Sequence, residues 1–198
     1  AHPNEIDAEI RTHLEEYRTG IDAAGKAIRA LFREASFPDD LAEAIRAAYR
    51  KLSADYRCED VDVAVRSSAV AEDLPEASFA GQLDTFLHIQ GEEALLDACR
   101  NCYASLFTDR ALAYREKRGF DQLEVALSIG VQKMVRSDKA GSGVMFTLDT
   151  ESGFPDSVLI NGWWGTGELV VAGAVIPDQY TVFKPLLKDP RRMPIIEK

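Results

Sequence analysis

The stretch that decides the fold is VDVAVRSSAVAEDLPEASFAGQLDTFLHIQG, residues 61–91. Its first residues alternate, with Val61, Val63 and Val65 on one side, which predicts a strand that ends at Arg66. The run DTFLHIQG predicts a second strand. About twenty mostly small, acidic or glycine residues separate the two apolar runs, whereas a connection between strands usually needs about 2–6 residues. This long connection therefore calls for a functional explanation.

The residues before this stretch predict helices. Residues 5–52 carry apolar side chains at three- and four-residue spacing, which is typical of amphipathic helices. In DDLAEAIRAAYRKL (39–52), the apolar stripe contains Leu41, Ile45, Ala48, Tyr49 and Leu52. Pro38 followed by two aspartates marks the start of this helix. An earlier helix is expected over 6–32, with a break near Gly20.

The residues after the stretch predict one helix and then several strands. A single long helix is expected over 92–117, with acidic residues at its start, basic residues at its end and Gly119 as its stop signal. Short apolar runs separated by Gly, Asp and Pro then predict strands: VALSIGVQKMV, GSGVMFTLD, SVLING, ELVVAGAV and DQYTVFK. The tail 184–198 has three prolines and is expected to begin a connection.

These elements predict an α/β (α+β) fold, with a mostly antiparallel sheet and N-terminal helices. The expected domains are a helical segment over 1–60 and a second domain over 61–198.

Composition excludes several classes of protein. The net charge of -10 argues against nucleic acid as a partner, because such binding needs a basic surface. No apolar run approaches the roughly 20 residues of a membrane span, so no membrane partner is expected. Three cysteines argue against a disulfide framework and favour a reducing cytoplasm. The chain starts AHPNEIDAEIRTH, without an initiator Met or a secretory signal, and we expect a piece of a longer protein.

The long connection has the residue types of a phosphate-binding loop. Arg66 supplies a guanidinium, Gly81 frees backbone N–H groups and Thr85 adds a hydroxyl, all of which are donors for phosphate oxygens. No G-K-[ST] sequence is present, so this is not a Walker A motif. The alternative is an acidic surface loop with a solvated arginine.

Two further segments are candidates for ligand contact. VQKMVRSD (131–138) is a strand that runs into a polar turn, where backbone groups and Met134 could meet a flat heterocycle; the alternative is a core methionine. NGWWGTGELVVAG (161–173) has glycines around two tryptophans, which permit close approach to a ligand; the alternative is a hairpin turn with packed tryptophans.

Metal and hydrolase chemistry have little support. Cys99 and Cys102 have the spacing of half a zinc site, but they lie inside a predicted helix and no second Cys or His pair has suitable spacing. Two small half-buried helix residues are the better interpretation. No G-x-S-x-G elbow is present.

Four blocks in order resemble one family. AVRSSAVAEDLPEASFAGQLDTFL, ASLFTDRALAYR, VQKMVRSDKAGSGVMFTLDTESGF and GWWGTGELVVAGAVIPDQYTVFKP resemble the N-terminal nucleotide-binding domain of the phosphoenolpyruvate synthases, the pyruvate, water dikinases. The resemblance covers about residues 36–185. Pyruvate, phosphate dikinases are similar at VRS but have a methionine-rich segment where this chain has SFAGQ. Rifampin phosphotransferases share VRSSA and SFAGQ but depart from MFTLDTESGF.

The resemblance implies an ATP-grasp fold with ATP between two lobes. It implies that Arg66 contacts the ATP phosphates and that Gly81, Gln82 and Thr85 form a loop over the β- and γ-phosphates. Gln132, Met134 and Val135 would line the adenine edge, and Glu168 would lie near the ribose.

The resemblance also implies the reaction of a longer parent. ATP, pyruvate and water would give AMP, phosphoenolpyruvate and phosphate through a phospho-histidine on another domain, with pyruvate bound on a third. The family's early lysine block and the Mg²⁺ ligands are expected outside these 198 residues, which alone should turn over little or no substrate. A non-catalytic nucleotide-binding module and the ATP domain of a related dikinase, such as a rifampin phosphotransferase, are the alternatives. A homodimeric parent is left open.

Overall fold

The computed structural model describes residues 3–16, 21–69, 73–74, 77–78 and 83–198. The chain divides into two compact units, Ala1–Met134 and Val135–Lys198, and each is described by itself. The division falls after Met134, so the helices of the first sixty residues share a unit with the first strands. Whether the expected domains, 1–60 and 61–198, are the folding domains stays a prediction.

The first unit contains five helices in the described residues: α1 (Pro3–Glu16), α2 (Ile21–Glu34), α3 (Asp39–Asp55), α4 (Glu92–Ser105) and α5 (Asp109–Arg118). The first three confirm the prediction that residues 5–52 form helices. The break expected near Gly20 lies outside the described residues. Helix α3 begins after Pro38 as predicted, but Leu41 is exposed, because the buried stripe of this helix runs through Ala42, Tyr49 and Ser53.

The prediction of one helix over 92–117 was wrong, because a turn separates α4 from α5. Thr108 caps α5, and its Oγ1 accepts a hydrogen bond from the N–H of Ala111 at 3.3 Å. The buried Arg115 donates to the Leu106 carbonyl in the turn and to Oε1 of Gln122. A capping threonine starts a new helix even inside a run of good helix formers.

Three antiparallel strands form the main sheet of the first unit. In spatial order they are β4 (Thr85–Ile89), β1 (Val63–Ala69) and β5 (Leu127–Lys133). The described parts of the long connection add a short hairpin of β2 (Asp73–Leu74) and β3 (Ala77–Ser78). The mixed helical and antiparallel fold class is thus confirmed.

The prediction that β1 ends at Arg66 was wrong, because the strand continues to Ala69. It pairs with β5 along its whole length, from Val63 opposite Lys133 to Ala69 opposite Leu127. The polar residues Ser67 and Ser68 ended the apolar pattern but not the pairing, because a strand needs backbone partners rather than apolar side chains. Arg66 is consequently a mid-strand residue.

One face of this sheet is covered by α4. Val63 and Val65 are fully buried in a cluster that also contains Tyr49, Leu95, Cys99 and Cys102. The Tyr49 hydroxyl donates to the Val61 carbonyl at 2.8 Å and accepts from the N–H of Gly91 at 2.9 Å. It thereby joins α3 to the residues before β1 and α4, which makes this side of the sheet a fixed support.

The second unit is a four-stranded antiparallel sheet in the order β6 (Gly141–Phe146), β7 (Ser157–Trp164), β8 (Asp178–Phe183) and β9 (Ile195–Glu197). Short 3₁₀ helices precede β6, at Ser137–Lys139, and follow β8, at Lys184–Lys188. The tail takes part in this sheet, since β9 pairs with β8 and the N–H of Phe183 donates to the Pro194 carbonyl at 2.8 Å. Whether it also begins a connection stays a prediction.

The predicted strand ELVVAGAV was also wrong. Glu168–Val171 form a helical turn, α6, and Gly173 follows it at φ 66°. The N–H of Ala174 donates back to the Leu169 carbonyl at 2.9 Å, as in a glycine-terminated helix end. The flanking glycines therefore overrode the strand preference of the two valines.

Across the described ranges, no helix is long and apolar enough to cross a membrane.

Candidate functional site

The sheet of the first unit has a polar face on the side away from α4. Val65 pairs with Phe86 of β4, and Ile129 of β5 pairs with Ser67. Phe86 and Ile129 both pack on the core cluster. Because successive side chains alternate between the two faces of a strand, Arg66 in β1 points to the opposite face.

Arg66 has two cross-strand neighbours on that polar face. Its Cα is paired with Thr85 of β4 on one side and with Gly130 of β5 on the other. Gln132 of β5 pairs with Ala64, two residues from Arg66, and so belongs to the same face. The fold thus brings Arg66, Thr85 and Gln132, which are distant in sequence, onto one exposed surface.

The guanidinium of Arg66 is exposed, and the described residues give it no hydrogen bond or ion pair. Other arginines of the first unit are engaged by the protein itself. Arg46 and Arg50 bind the carboxylates of α4, and Arg29 donates to the Phe107 carbonyl at 2.6 Å. A guanidinium with free donors beside a threonine hydroxyl suits a phosphate oxygen.

A side-chain hydrogen bond holds the two ends of the long connection together. The Ser67 hydroxyl donates to the Asp84 carbonyl at 3.0 Å, which joins β1 to the residue before β4. On the other side of β1, the Ser128 hydroxyl donates to the Ser68 carbonyl at 3.2 Å. The sequence alone does not indicate the roles of the two donors, Ser67 and Ser128, because both hydrogen bonds depend on the strand register.

Gly81 and Gln82, expected to form the loop over the phosphates, lie outside the described residues. Thr85 is the exposed first residue of β4, so the C-terminal end of the expected loop reaches the polar face beside Arg66.

Met134 follows β5 and is largely buried, with 8% of its surface exposed. Its N–H donates to the Asp62 carbonyl at 2.8 Å, and its carbonyl accepts from the Lys133 ammonium at 3.1 Å. This placement fits the alternative interpretation of a packed methionine, because the backbone groups of Met134 already have partners within the protein.

The remaining candidates belong to the second unit. Val135 is 73% exposed, and Glu168 is the exposed first residue of α6. The turn before α6 is fastened to β6, since the Ser142 hydroxyl donates to the Gly165 carbonyl at 2.7 Å. Trp164 is 78% exposed, so it is not the packed tryptophan of an ordinary hairpin turn.

Metal and thiol chemistry find no support among the described residues. No group of three or more His, Cys, Asp or Glu side chains in those ranges could hold a metal ion. Burial raises the pKa of Cys99 to about 11 and that of Cys102 to about 12. Both thiols therefore stay protonated near neutral pH and are poor nucleophiles.

A cavity of about 540 Å³ lies on the helical side of the sheet, between α2, α4, α5 and β4. Arg29, Arg33, Asp84, Phe86 and Arg110 are among its lining residues. Its position on the other side of the sheet separates it from Arg66, so it is not part of the polar face.

An antiparallel sheet with a polar, arginine-bearing face defines a candidate anion-binding domain, and comparison with known proteins identifies its class. The chain belongs to the family described as pyruvate phosphate dikinase, AMP/ATP-binding domain, whose family model matches residues 1–198.

Particular relatives share more than half of the aligned residues. Phosphoenolpyruvate synthase of Aquifex aeolicus is 56% identical over 188 residues, which are 93% of this chain and 22% of that protein. The enzyme of the same name from Escherichia coli is 55% identical over 169 residues, covering 85% of this chain and 21% of the relative. That of Pyrococcus furiosus is 52% identical over 159 residues, covering 80% and 19%. The chain thus spans about a fifth of the length of these relatives.

Proposed function

We propose that this chain is the ATP-binding part of a phosphoenolpyruvate synthase. The whole protein would convert ATP, pyruvate and water to AMP, phosphoenolpyruvate and phosphate through a phospho-histidine on another domain. Membership of the AMP/ATP-binding family and the identity to phosphoenolpyruvate synthases support this proposal.

The observation that carries the proposal is the Arg66 guanidinium on an open sheet face, beside the Thr85 hydroxyl and not engaged by any of the described residues. In a chain of net charge -10, an anionic ligand needs such a local cation. Arg66 would bind the phosphate chain of ATP, and the fixed strand would hold it in place, because phosphoryl transfer depends on positioning and charge neutralisation.

The other residues would act around this contact. Gly81 and Gln82 would cover the phosphates together with Thr85. Gln132, Met134 and Val135 would line the adenine edge, and Glu168 would lie near the ribose. In this role Met134 would contribute its packed side chain rather than its backbone groups, both of which have partners.

We further propose an ATP-grasp fold, a cytoplasmic location and a role in gluconeogenesis. Three free thiols are in keeping with a reducing compartment. Magnesium would neutralise phosphate charge when bound, but the described residues offer no carboxylate cluster for it. In keeping with the family resemblance, we propose that its ligands lie outside these 198 residues.

The test is substitution of Arg66 in the full-length protein. Arg66→Ala should reduce ATP-dependent histidine phosphorylation by about 10³-fold or more, since a cationic donor in phosphoryl transfer is worth about 10³–10⁵ in rate. Arg66→Lys should recover only part of this activity, because the ammonium lacks the planar donor geometry of the guanidinium. The free energy of unfolding, measured in urea, should be the same for both variants as for wild type, because Arg66 lies away from the core.

A matched control is Arg110→Ala, which removes an exposed arginine of the same unit on the helical side of the sheet. It should stay within about threefold of wild type, as expected for a surface substitution away from the site. An Arg66→Ala enzyme that is equally active would contradict the proposed role of Arg66.

A further inference from the structure

Gly130 is the cross-strand neighbour of Arg66 on β5, opposite the side on which Thr85 lies. A side chain at this position would stand on the polar face with its Cβ about 4.5–5.5 Å from that of Arg66. Glycine places no side chain there, and Gly130 itself is exposed. On the β4 side, Arg66 thus has the side chain of Thr85 as its neighbour, whereas on the β5 side it has a glycine without a side chain.

The fold itself does not require a glycine at position 130. Among the described residues, a Cβ built on Gly130 would meet only the Arg66 carbonyl oxygen, at 4.0 Å, which is ordinary van der Waals contact. Gly130 is not among the glycines with positive φ, so an L-residue would fit its backbone. Glycine inside a strand weakens the strand and often marks close approach of a ligand.

Another glycine of the same unit shows what a structural requirement looks like. A Cβ on Gly25 of α2 would lie 2.8 Å from Oδ1 of Asp109 and 3.0 Å from the Phe107 carbonyl oxygen. Packing of α2 against the α4–α5 turn therefore excludes a side chain at Gly25. In the part of the chain that the structure describes, no such contact excludes a side chain at Gly130.

We propose that Gly130 determines access to Arg66, by keeping the space beside its guanidinium open for the polyphosphate of the bound nucleotide. This inference rests on the proposed function. It adds that the ligand lies along the β5 side of Arg66, over Gly130.

The experiment uses Gly130→Val in the full-length protein. Valine favours strands and fits the backbone, so the variant should fold as wild type by thermal melting. Its branched side chain would fill the open space. Dissociation constants for ATP and for inorganic tripolyphosphate should both rise by about tenfold or more, in keeping with the cost of an overfilled site.

Two matched variants make the result specific. Ser128→Val places the same valine on the same face of β5, beside Ser68 instead of Arg66. It removes the hydrogen bond from Ser128 to the Ser68 carbonyl, but it should bind both ligands within about threefold of wild type. Arg66→Ala tests the proposed function separately. If Arg66→Ala weakens binding while Gly130→Val does not, the inference on Gly130 is overturned and the proposed function stands. If Arg66→Ala also leaves binding unchanged, the proposed role of Arg66 fails, and the inference fails with it.

A second variant keeps the inference testable if valine destabilises the protein. In a Cys58→Ser background, which removes the exposed thiol of these 198 residues, Gly130→Cys places a small reactive probe at the site. ATP should slow its modification by methyl methanethiosulfonate by about tenfold at a concentration of ten times its dissociation constant. Ser128→Cys in the same background should be protected less. Equal modification of the thiol introduced by Gly130→Cys with and without ATP would overturn the inference.

Discussion

The two sheets of this protein bury their side chains very differently. In the first unit, Val63 and Val65 are fully buried beneath α4, and the polar face lies on the other side of the same strands. In the second unit, all of which the structure describes, Ser157 is the only buried residue, and large apolar residues such as Met145 and Trp164 are 62% and 78% exposed. The first sheet therefore packs on a core of its own, whereas few side chains are buried in the second sheet, which depends mainly on backbone pairing.

The largest difference should appear in core truncations. Leu95→Ala removes a side chain that is 1% exposed in the first core and should lower the free energy of unfolding of that unit by about 2–5 kcal/mol. Ile160→Ala in the second sheet, where the side chain is only half-buried, should cost about 1 kcal/mol. Native-state hydrogen exchange, read separately in β1 and β7, measures both. Equal costs would show that the two sheets do not differ as described.

A smaller effect should come from the glycines of the second sheet. A Cβ on Gly143 of β6 would overlap the Asn161 carbonyl of β7, whereas one on the paired Gly162 would meet nothing within 4 Å. Gly143→Ala should therefore cost the second unit about 1–3 kcal/mol, with loss of amide protection in β6 and β7. Gly162→Ala is the matched control and should leave that protection nearly intact. Equal loss of amide protection in the two variants would contradict the register of β6 against β7.

The smallest predicted effect is an alkaline destabilisation confined to the first unit. Burial raises the pKa of Cys99 and Cys102 from 9.0 to about 11 and about 12. The unfolded chain therefore loses these protons first, and stability that is present below pH 9 is lost as the pH rises. Between pH 9 and 10 the loss should be about 1 kcal/mol for each thiol, measured by urea unfolding.

A variant with both cysteines replaced by alanine separates this effect from other groups. It should be less stable at pH 8 but should show a flatter dependence between pH 9 and 10. Burial also raises the pKa of Tyr49 and Tyr103 from 10.0, so the tyrosines act mainly at higher pH. If the free energy of unfolding of the double variant fell as steeply with pH as that of wild type, groups other than these two thiols would cause the effect.

The helices and most strands could be predicted from local patterns. The alternation in VDVAV indicated β1, and the acidic start, basic end and Gly119 framed the helical region that ends at Arg118. The turn between α4 and α5 was missed although its signal, Thr108 before Asp109, is in the sequence. This signal is easily overlooked in the sequence, because the residues on both sides of Thr108 favour a helix.

The candidate site was only partly predictable. Arg66 was singled out by its position after an apolar run, but its place in the middle of β1 depends on pairing with β5. Gly130 could not be recognised at all, because the register that sets it beside Arg66 joins residues more than sixty positions apart. Long-range register follows from turns and packing rather than from local pattern.

The central claim is that the phosphate chain of ATP binds over the polar face of the first sheet. The most direct measurement is a crystal structure of the full-length protein with a non-hydrolysable ATP analogue. We predict a phosphate oxygen about 2.7–2.9 Å from the Arg66 guanidinium, as in charge-assisted hydrogen bonds, with the phosphate chain passing over Gly130. A fully occupied analogue whose phosphates lie beyond hydrogen-bonding reach of Arg66, with no contact to the polar face, would contradict the account.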